Sequence, residues 1–131
     1  MNSLFRLLTI AGLLAFSLTA KATVTANDGE GNTTTLQVVG AKTEVTVKID
    51  AALAPNYQIK VFYNTSLNAK RCTGAQSATL AGPNIHWSNS YAYRSMSGSL
   101  IYVSACVYNV TDRGTYLIRE ISDYGYVQGI D

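Results

Sequence analysis

The stretch that decides the fold is residues 100–110, which read LIYVSACVYNV. Successive side chains of a strand point to opposite faces, so the aliphatic side chains at its odd-numbered positions up to 107 share one face. The other face carries Leu100, Tyr102, Ser104, Cys106 and Tyr108. Because both faces are largely apolar, we expect a central strand that is covered on each side by other parts of the chain.

The chain on either side of this stretch also reads as strands. Thr, Val, Tyr and Ile are frequent, and no window of helical length has the period of 3.6 that marks an amphipathic helix. Segment 43–50 alternates apolar and polar side chains, and we expect it to pair with segment 57–63 after one helical turn at residues 51–54. The other predicted strands are 23–26, 33–39, 77–80, 85–87 and 115–121, with a last edge strand in the tail after residue 121.

Short strands separated by turn residues at intervals of about 8 to 12 positions predict an all-β fold. We expect an antiparallel β-sandwich that resembles an immunoglobulin domain in architecture, with Trp87 between the two cysteines as in that family. No tyrosine stands two residues before Cys106, so the resemblance is one of architecture and not of family. A small β-barrel of the oligonucleotide/oligosaccharide-binding type, OB-like in short, is the alternative.

The only two cysteines, Cys72 and Cys106, predict one covalent bond. In an oxidising compartment such a pair most simply forms a structural disulfide, which would stabilise the fold by about 4 kcal/mol. The two residues stand too far apart for a Cys-x-x-Cys redox motif, and two Cys with one His are too few ligands for a zinc site. We therefore predict a disulfide, no metal and no cofactor.

Residues 1–22 have the pattern of a cleaved secretory signal peptide. Arg6 precedes an apolar run at 7–16, and Ala20-Lys21-Ala22 fits the small-residue rule for cleavage. The run is shorter than the roughly 20 residues that a membrane-spanning helix needs. We expect export to the periplasm or the extracellular space, no membrane insertion of the mature chain, and a single β domain at residues 23–131.

Cleavage would leave the domain close to electrically neutral. The full chain has ten Lys and Arg residues and eight Asp and Glu residues. Arg6 and Lys21 lie in the removed segment, so eight basic residues remain against eight acidic ones. A nucleic-acid-binding surface needs a clear excess of clustered positive charge, and we therefore expect no nucleic-acid partner.

The chain contains no recognisable catalytic motif. It has one His, no Gly-x-Ser-x-Gly elbow and no phosphate-binding glycine loop. We therefore expect a protein that is not an enzyme. The enzymatic alternative is a small secreted hydrolase or ribonuclease that uses His86 and Glu120 as acid and base, with Arg119 or Arg94 holding an anion.

The candidate binding site is segment 86–98, which reads as an exposed connection from residue 88 onward. It combines aromatic, amide, Arg and Ser side chains, a composition that resembles antibody paratopes and interface hot spots. The residues predicted to bind are His86, Trp87, Asn89, Tyr91, Tyr93 and Arg94. Aromatic rings beside such polar groups also suit sugars, so a protein partner is favoured and a glycan stays open.

Together these features favour an exported, non-enzymatic binding protein, foremost an inhibitor or immunity factor against an extracytoplasmic enzyme. The alternative is an assembling subunit, either pilus-like or the pentameric glycan-binding subunit of a toxin. An assembling subunit would form an oligomer, whereas an inhibitor can act as a single domain.

Overall fold

The computed structural model describes residues 23–66, 71–93 and 96–129. The predicted signal peptide at 1–22 lies outside these residues. No helix in the described ranges is long and apolar enough to cross a membrane. The described strands are β1 (Val24–Asn27), β2 (Thr33–Gly40), β3 (Glu44–Ala52), β4 (Tyr57–Asn64), β5 (Ala75–Ala81), β6 (Ile85–Ala92), β7 (Ser99–Thr111) and β8 (Gly114–Val127).

The strands form two antiparallel sheets of four, so the predicted all-β sandwich is confirmed and the fold is not a closed barrel. Sheet A has the order β1-β2-β3-β6, and sheet B has the order β5-β4-β7-β8. This order keeps the first three strands together in one sheet. An immunoglobulin constant domain instead orders its strands A-B-E-D and C-F-G.

Strand β7 is the central strand that the sequence predicts. It lies between β4 and β8 and is buried on both faces from Val103 to Val107. The core between the sheets is built almost entirely from branched aliphatic side chains, which pack well on pleated strands. Its fully buried members include Leu36, Val38, Val45, Val47, Ile49, Ile59, Val61, Ile101 and Val103.

The predicted disulfide between Cys72 and Cys106 is present, with the two Cα atoms 5.9 Å apart. Cys106 lies on the face of β7 that points away from the core, yet its side chain is fully buried. The disulfide therefore ties the turn that precedes β5 to the outer side of the central strand. Such a bond is consistent with an oxidising, exported environment.

Three local predictions were wrong. Strand β3 pairs with β2 and β6 and not with β4, because the chain passes from sheet A to sheet B between β3 and β4. The predicted helical turn at 51–54 is absent because β3 continues to Ala52, opposite Thr33 of β2. The tail adds no separate strand, since β8 runs unbroken to Val127 with one irregularity in its register.

The C-terminal half of β8 crosses the end of β2 and joins the two sheets. The buried carboxylate of Asp123 accepts a hydrogen bond of 3.0 Å from the Val38 backbone N–H. A Cβ atom at Gly40 would overlap the backbone of Tyr126, so only glycine allows this approach. Two backbone bonds continue the crossing, from Gln128 N–H to the Ala41 carbonyl and from Gly129 N–H to the Lys42 carbonyl.

Replacing Asp123 with Ala is expected to lower the free energy of unfolding by about 1–3 kcal/mol, because the Val38 N–H would stay buried without an acceptor. Urea denaturation at neutral pH measures this loss. The control is Asp112→Ala in the exposed turn between β7 and β8, which is expected to change stability by less than about 0.5 kcal/mol. Equal losses in the two variants would contradict the role of the crossing.

Replacing both Cys72 and Cys106 with Ala is expected to lower the free energy of unfolding by about 4 kcal/mol, because the unfolded chain regains the freedom that the closed loop removes. Chemical denaturation of the oxidised and reduced wild-type protein provides the comparison. An unchanged denaturation midpoint after complete reduction would show that the disulfide has no such role.

Candidate functional site

The segment predicted as an exposed connection is largely a strand. Residues 88–92 belong to β6, which pairs with β3 from Ile85 to Ala92 without a shift in register. The prediction was wrong here because an edge strand that is mostly exposed does not require apolar residues at alternate positions. The connection between β6 and β7 is limited to residues 93–98.

The strand places the predicted site residues on two different faces. His86 stands on the outer face of sheet A, directly opposite Asp50. The inner face carries Trp87, Asn89 and Tyr91. These three residues stand opposite Ile49, Val47 and Val45 of β3, in that order. Trp87, Tyr91 and Tyr93 are half-buried and pack against the core, whereas Asn89 is exposed. Arg94 lies outside the described residues.

Tyr91 connects the two sheets. Its ring lies 4.8 Å from the ring of Tyr63 on β4, measured between centroids, with 30° between the planes. Its hydroxyl is buried and has no hydrogen-bond partner. Burial raises the pKa of the Tyr91 phenol, an effect that nearby Asn89 partly offsets without reaching hydrogen-bond geometry. Tyr91 therefore acts mainly as a packing residue.

His86 forms a solvent-exposed pair with Asp50 on the outer face of sheet A. The distance from Nδ1 to Oδ1 is 2.6 Å, and the two side chains are 81% and 63% exposed. They line a shallow depression of about 210 Å³ with Lys48, Trp87 and Ser88. A hydrogen-bonded pair this exposed contributes little to stability, because water competes for both groups.

Of the residues in the hydrolase hypothesis, the described ones, His86, Arg119 and Glu120, are not brought together by the fold. Glu120 and Arg119 lie on β8 of sheet B, whereas His86 lies on the outer face of sheet A. A Glu120 carboxylate oxygen lies 3.4 Å from the sulfur of Cys72, which carries no proton in the disulfide. Within the described ranges, no group of three or more His, Cys, Asp and Glu side chains could hold a metal ion.

A second aromatic surface, which the sequence reasoning missed, lies on the outer face of sheet B. Leu100 stands opposite Tyr126, and Tyr102 stands opposite Tyr124 with 6.1 Å between the ring centroids. Tyr124 and Tyr126 are 52% and 55% exposed. Leu100 and Tyr102 are two positions apart and so share a face of β7, and Tyr124 and Tyr126 share a face of β8 for the same reason. Only the pairing of β7 with β8 brings the four residues together. We call these four residues the aromatic patch.

The connection between β6 and β7 reaches this patch. A Cβ atom at Gly98 would overlap the ring of Tyr126, so the chain passes directly against that side chain. The C-terminal part of the predicted segment 86–98 is thus adjacent to the aromatic patch. Exposed Met96 is two positions away along the same connection.

An open groove of about 510 Å³ lies at one end of the sandwich. Its walls are mainly apolar and include Leu53, Pro55, Tyr57, Pro83 and Val110. The Tyr57 hydroxyl donates a hydrogen bond to the Glu30 carboxylate, which raises the pKa of the phenol. No family model, curated protein or solved structure matches the chain.

Replacing Tyr91 with Phe is expected to leave stability at neutral pH unchanged or to raise it by up to about 1 kcal/mol, because a buried hydroxyl without a partner is removed. With a raised pKa in the folded state, the phenol ionises first in the unfolded chain, so stability falls as the pH rises above about 10. Tyr91→Phe is expected to reduce this alkaline loss.

Urea denaturation at pH 7 and above pH 10 tests both expectations for Tyr91. Tyr126→Phe, at a position on β8 that is 55% exposed, is the control and should alter stability at neither pH. A clear loss of stability at pH 7 in Tyr91→Phe would show that the hydroxyl has a favourable partner.

Proposed function

We propose that this protein is an exported, non-enzymatic binding protein that holds a protein partner through the aromatic patch. Its partner is an extracytoplasmic enzyme, which it inhibits or neutralises. The observation that carries the proposal is the exposure of the patch: Tyr124 and Tyr126 are each more than half exposed on the outer face of a sheet.

The patch has the composition of an interface centre. Contiguous apolar surface on a soluble domain commonly marks an interaction site, and tyrosine is enriched among the residues that dominate binding energy. A tyrosine ring offers a large contact area with few rotatable bonds, and its hydroxyl can form a hydrogen bond at the rim. The paired rings of Tyr102 and Tyr124 already contact each other, which limits the rotamer freedom lost on binding.

The class of partner follows from charge and compartment. The aromatic patch contains no charged side chain, and the domain at 23–131 is close to neutral. Its complement is therefore an apolar surface with hydrogen-bonding groups and not a polyanion. The signal-like N-terminal sequence and the disulfide support an encounter outside the cytoplasm.

Replacing Tyr124 or Tyr126 with Ala is expected to weaken binding of the partner by at least about tenfold, since truncation of an interface hot spot costs 2 kcal/mol or more. The partner is first captured on the immobilised protein from secreted and envelope proteins of the source organism. Its affinity for each variant is then measured by calorimetry, and its enzymatic activity is measured with and without the protein.

The matched control is Tyr116→Ala. Tyr116 lies on the same strand as the two patch tyrosines and is 52% exposed, but it stands near the turn at the other end of β8. Its replacement should leave the affinity unchanged. Equal binding by all four proteins, or glycan binding that depends on the patch with no protein captured, would overturn the proposal.

A further inference from the structure

Strand β6 is an open edge of sheet A. It pairs with β3 on one side only, and its pairing has no bulge along eight residues. Its sequence, IHWSNSYA, contains no Pro, Lys or acidic residue. Natural edge strands usually carry such features, because an unprotected edge forms hydrogen bonds with other strands.

Each of the other three sheet edges has a feature that limits pairing with a further strand. Strand β1 is only four residues long, and very short edge strands pair poorly. The pairing of β5 with β4 contains an irregularity at Val61 and Phe62. Strand β8 has an irregularity in its pairing with β7, and its C-terminal half crosses β2. Among the described strands, β6 alone has a long, regular and unprotected edge.

The backbone direction shows which groups this edge presents. The Tyr93 N–H donates to the Thr43 carbonyl, so the N–H groups of odd-numbered residues in β6 point toward β3. By the alternation of antiparallel pairing, the N–H and C=O groups of residues 86, 88, 90 and 92 point to the open side. One of them has a local partner: the Ser90 N–H donates to Asn89 Oδ1 at 2.9 Å.

We propose that two copies of this chain form a dimer by antiparallel pairing of their β6 strands, with Asn89 on the two-fold axis. Hydrogen bonds then connect His86 with the Ala92 of the second copy and Ser88 with its Ser90, each pair occurring twice. Registers shifted by two residues in either direction lose one of these hydrogen-bonded pairs. The result is one continuous sheet through both molecules.

This register also makes the inner-face side chains complementary. Trp87 stands opposite the Tyr91 of the second copy, and Tyr91 stands opposite its Trp87, both in pairs that lack backbone hydrogen bonds. Side chains are closest in such pairs, and cross-strand aromatic pairs are favourable. No like charges face each other, because His86 meets Ala92. In the single molecule the Asn89 side chain accepts a hydrogen bond from the Ser90 N–H. In the dimer this N–H bonds to the second copy instead, and Asn89 stands opposite Asn89 of that copy.

Cysteine cross-linking tests the register directly. Asn89→Cys is expected to form a disulfide-linked dimer under mild oxidation, because directly opposed positions without backbone bonds have Cα atoms about 4.5 Å apart, within the range of disulfides. Ser88→Cys and Ser90→Cys should each stay unlinked alone, but a mixture of the two should give a linked heterodimer. Peptide mapping verifies that Cys72 remains bonded to Cys106.

Sedimentation of the wild-type protein over a range of concentrations tests the dimer without new cysteines. We expect a concentration-dependent dimer, because a single pair of strands makes a small interface. Ser88→Pro should weaken it at least about tenfold, since it removes an edge N–H that does not bond to β3. Asn89→Lys should do the same by placing two like charges across the axis, whereas Asn89→Gln should not.

Circular dichroism of each variant verifies that the sandwich is intact. A wild-type protein that stays monomeric at every concentration, or cross-links through Ser88→Cys or Ser90→Cys alone, would overturn the dimer. The aromatic patch lies on sheet B, so this outcome leaves the proposed binding function untouched. Conversely, a dimer with no effect of Tyr124→Ala on partner binding would refute that function alone.

Discussion

The close crossing of β8 over β2 is the constraint on which the rest of the sandwich depends. The buried Asp123 carboxylate accepts a hydrogen bond from the Val38 N–H. Gly40, which has no Cβ atom, leaves room for the backbone of Tyr126. A buried carboxylate is tolerated only when hydrogen bonds compensate its lost hydration, so this contact fixes the register of one sheet against the other. Because the inner face of β8 is held in this way, Tyr124 and Tyr126 on its other face must point outward.

The sequence was sufficient for features that depend on one strand or one bond. Two apolar faces correctly marked β7 as central, and the only two cysteines correctly gave the disulfide. Pairing was harder, because the alternation in β3 specifies which face is buried but not which strand is the neighbour. The sequence predicts a connection at Asn89 and Ser90, since polar residues on an exposed edge strand have the same composition as polar residues in a connection. The aromatic patch was missed because Tyr102 and Tyr124 meet only through the register of β7 and β8.

The two sheets present two different kinds of surface. Sheet B carries the aromatic patch, where side chains would supply the contact, whereas the β6 edge of sheet A offers backbone groups whose bonding is largely independent of side-chain identity. Trp87 and Tyr91, which the sequence marked as binding residues, pack against the core from that edge. This packing restrains the side chains of the edge strand, so little side-chain freedom remains to be lost when another strand is added.

The position of the disulfide also determines how the molecule responds to proteases. The segment between Cys72 and Cys106 contains β5, β6 and the start of β7. The connection at 93–98 between β6 and β7 is longer than the one between β5 and β6. A cut in this connection divides the chain between its two cysteines. Neither fragment can then diffuse away, since each retains one sulfur of the bond and its strands remain paired in the sheets. The product would be a nicked molecule of two covalently linked chains, which can separate only when the disulfide is also reduced.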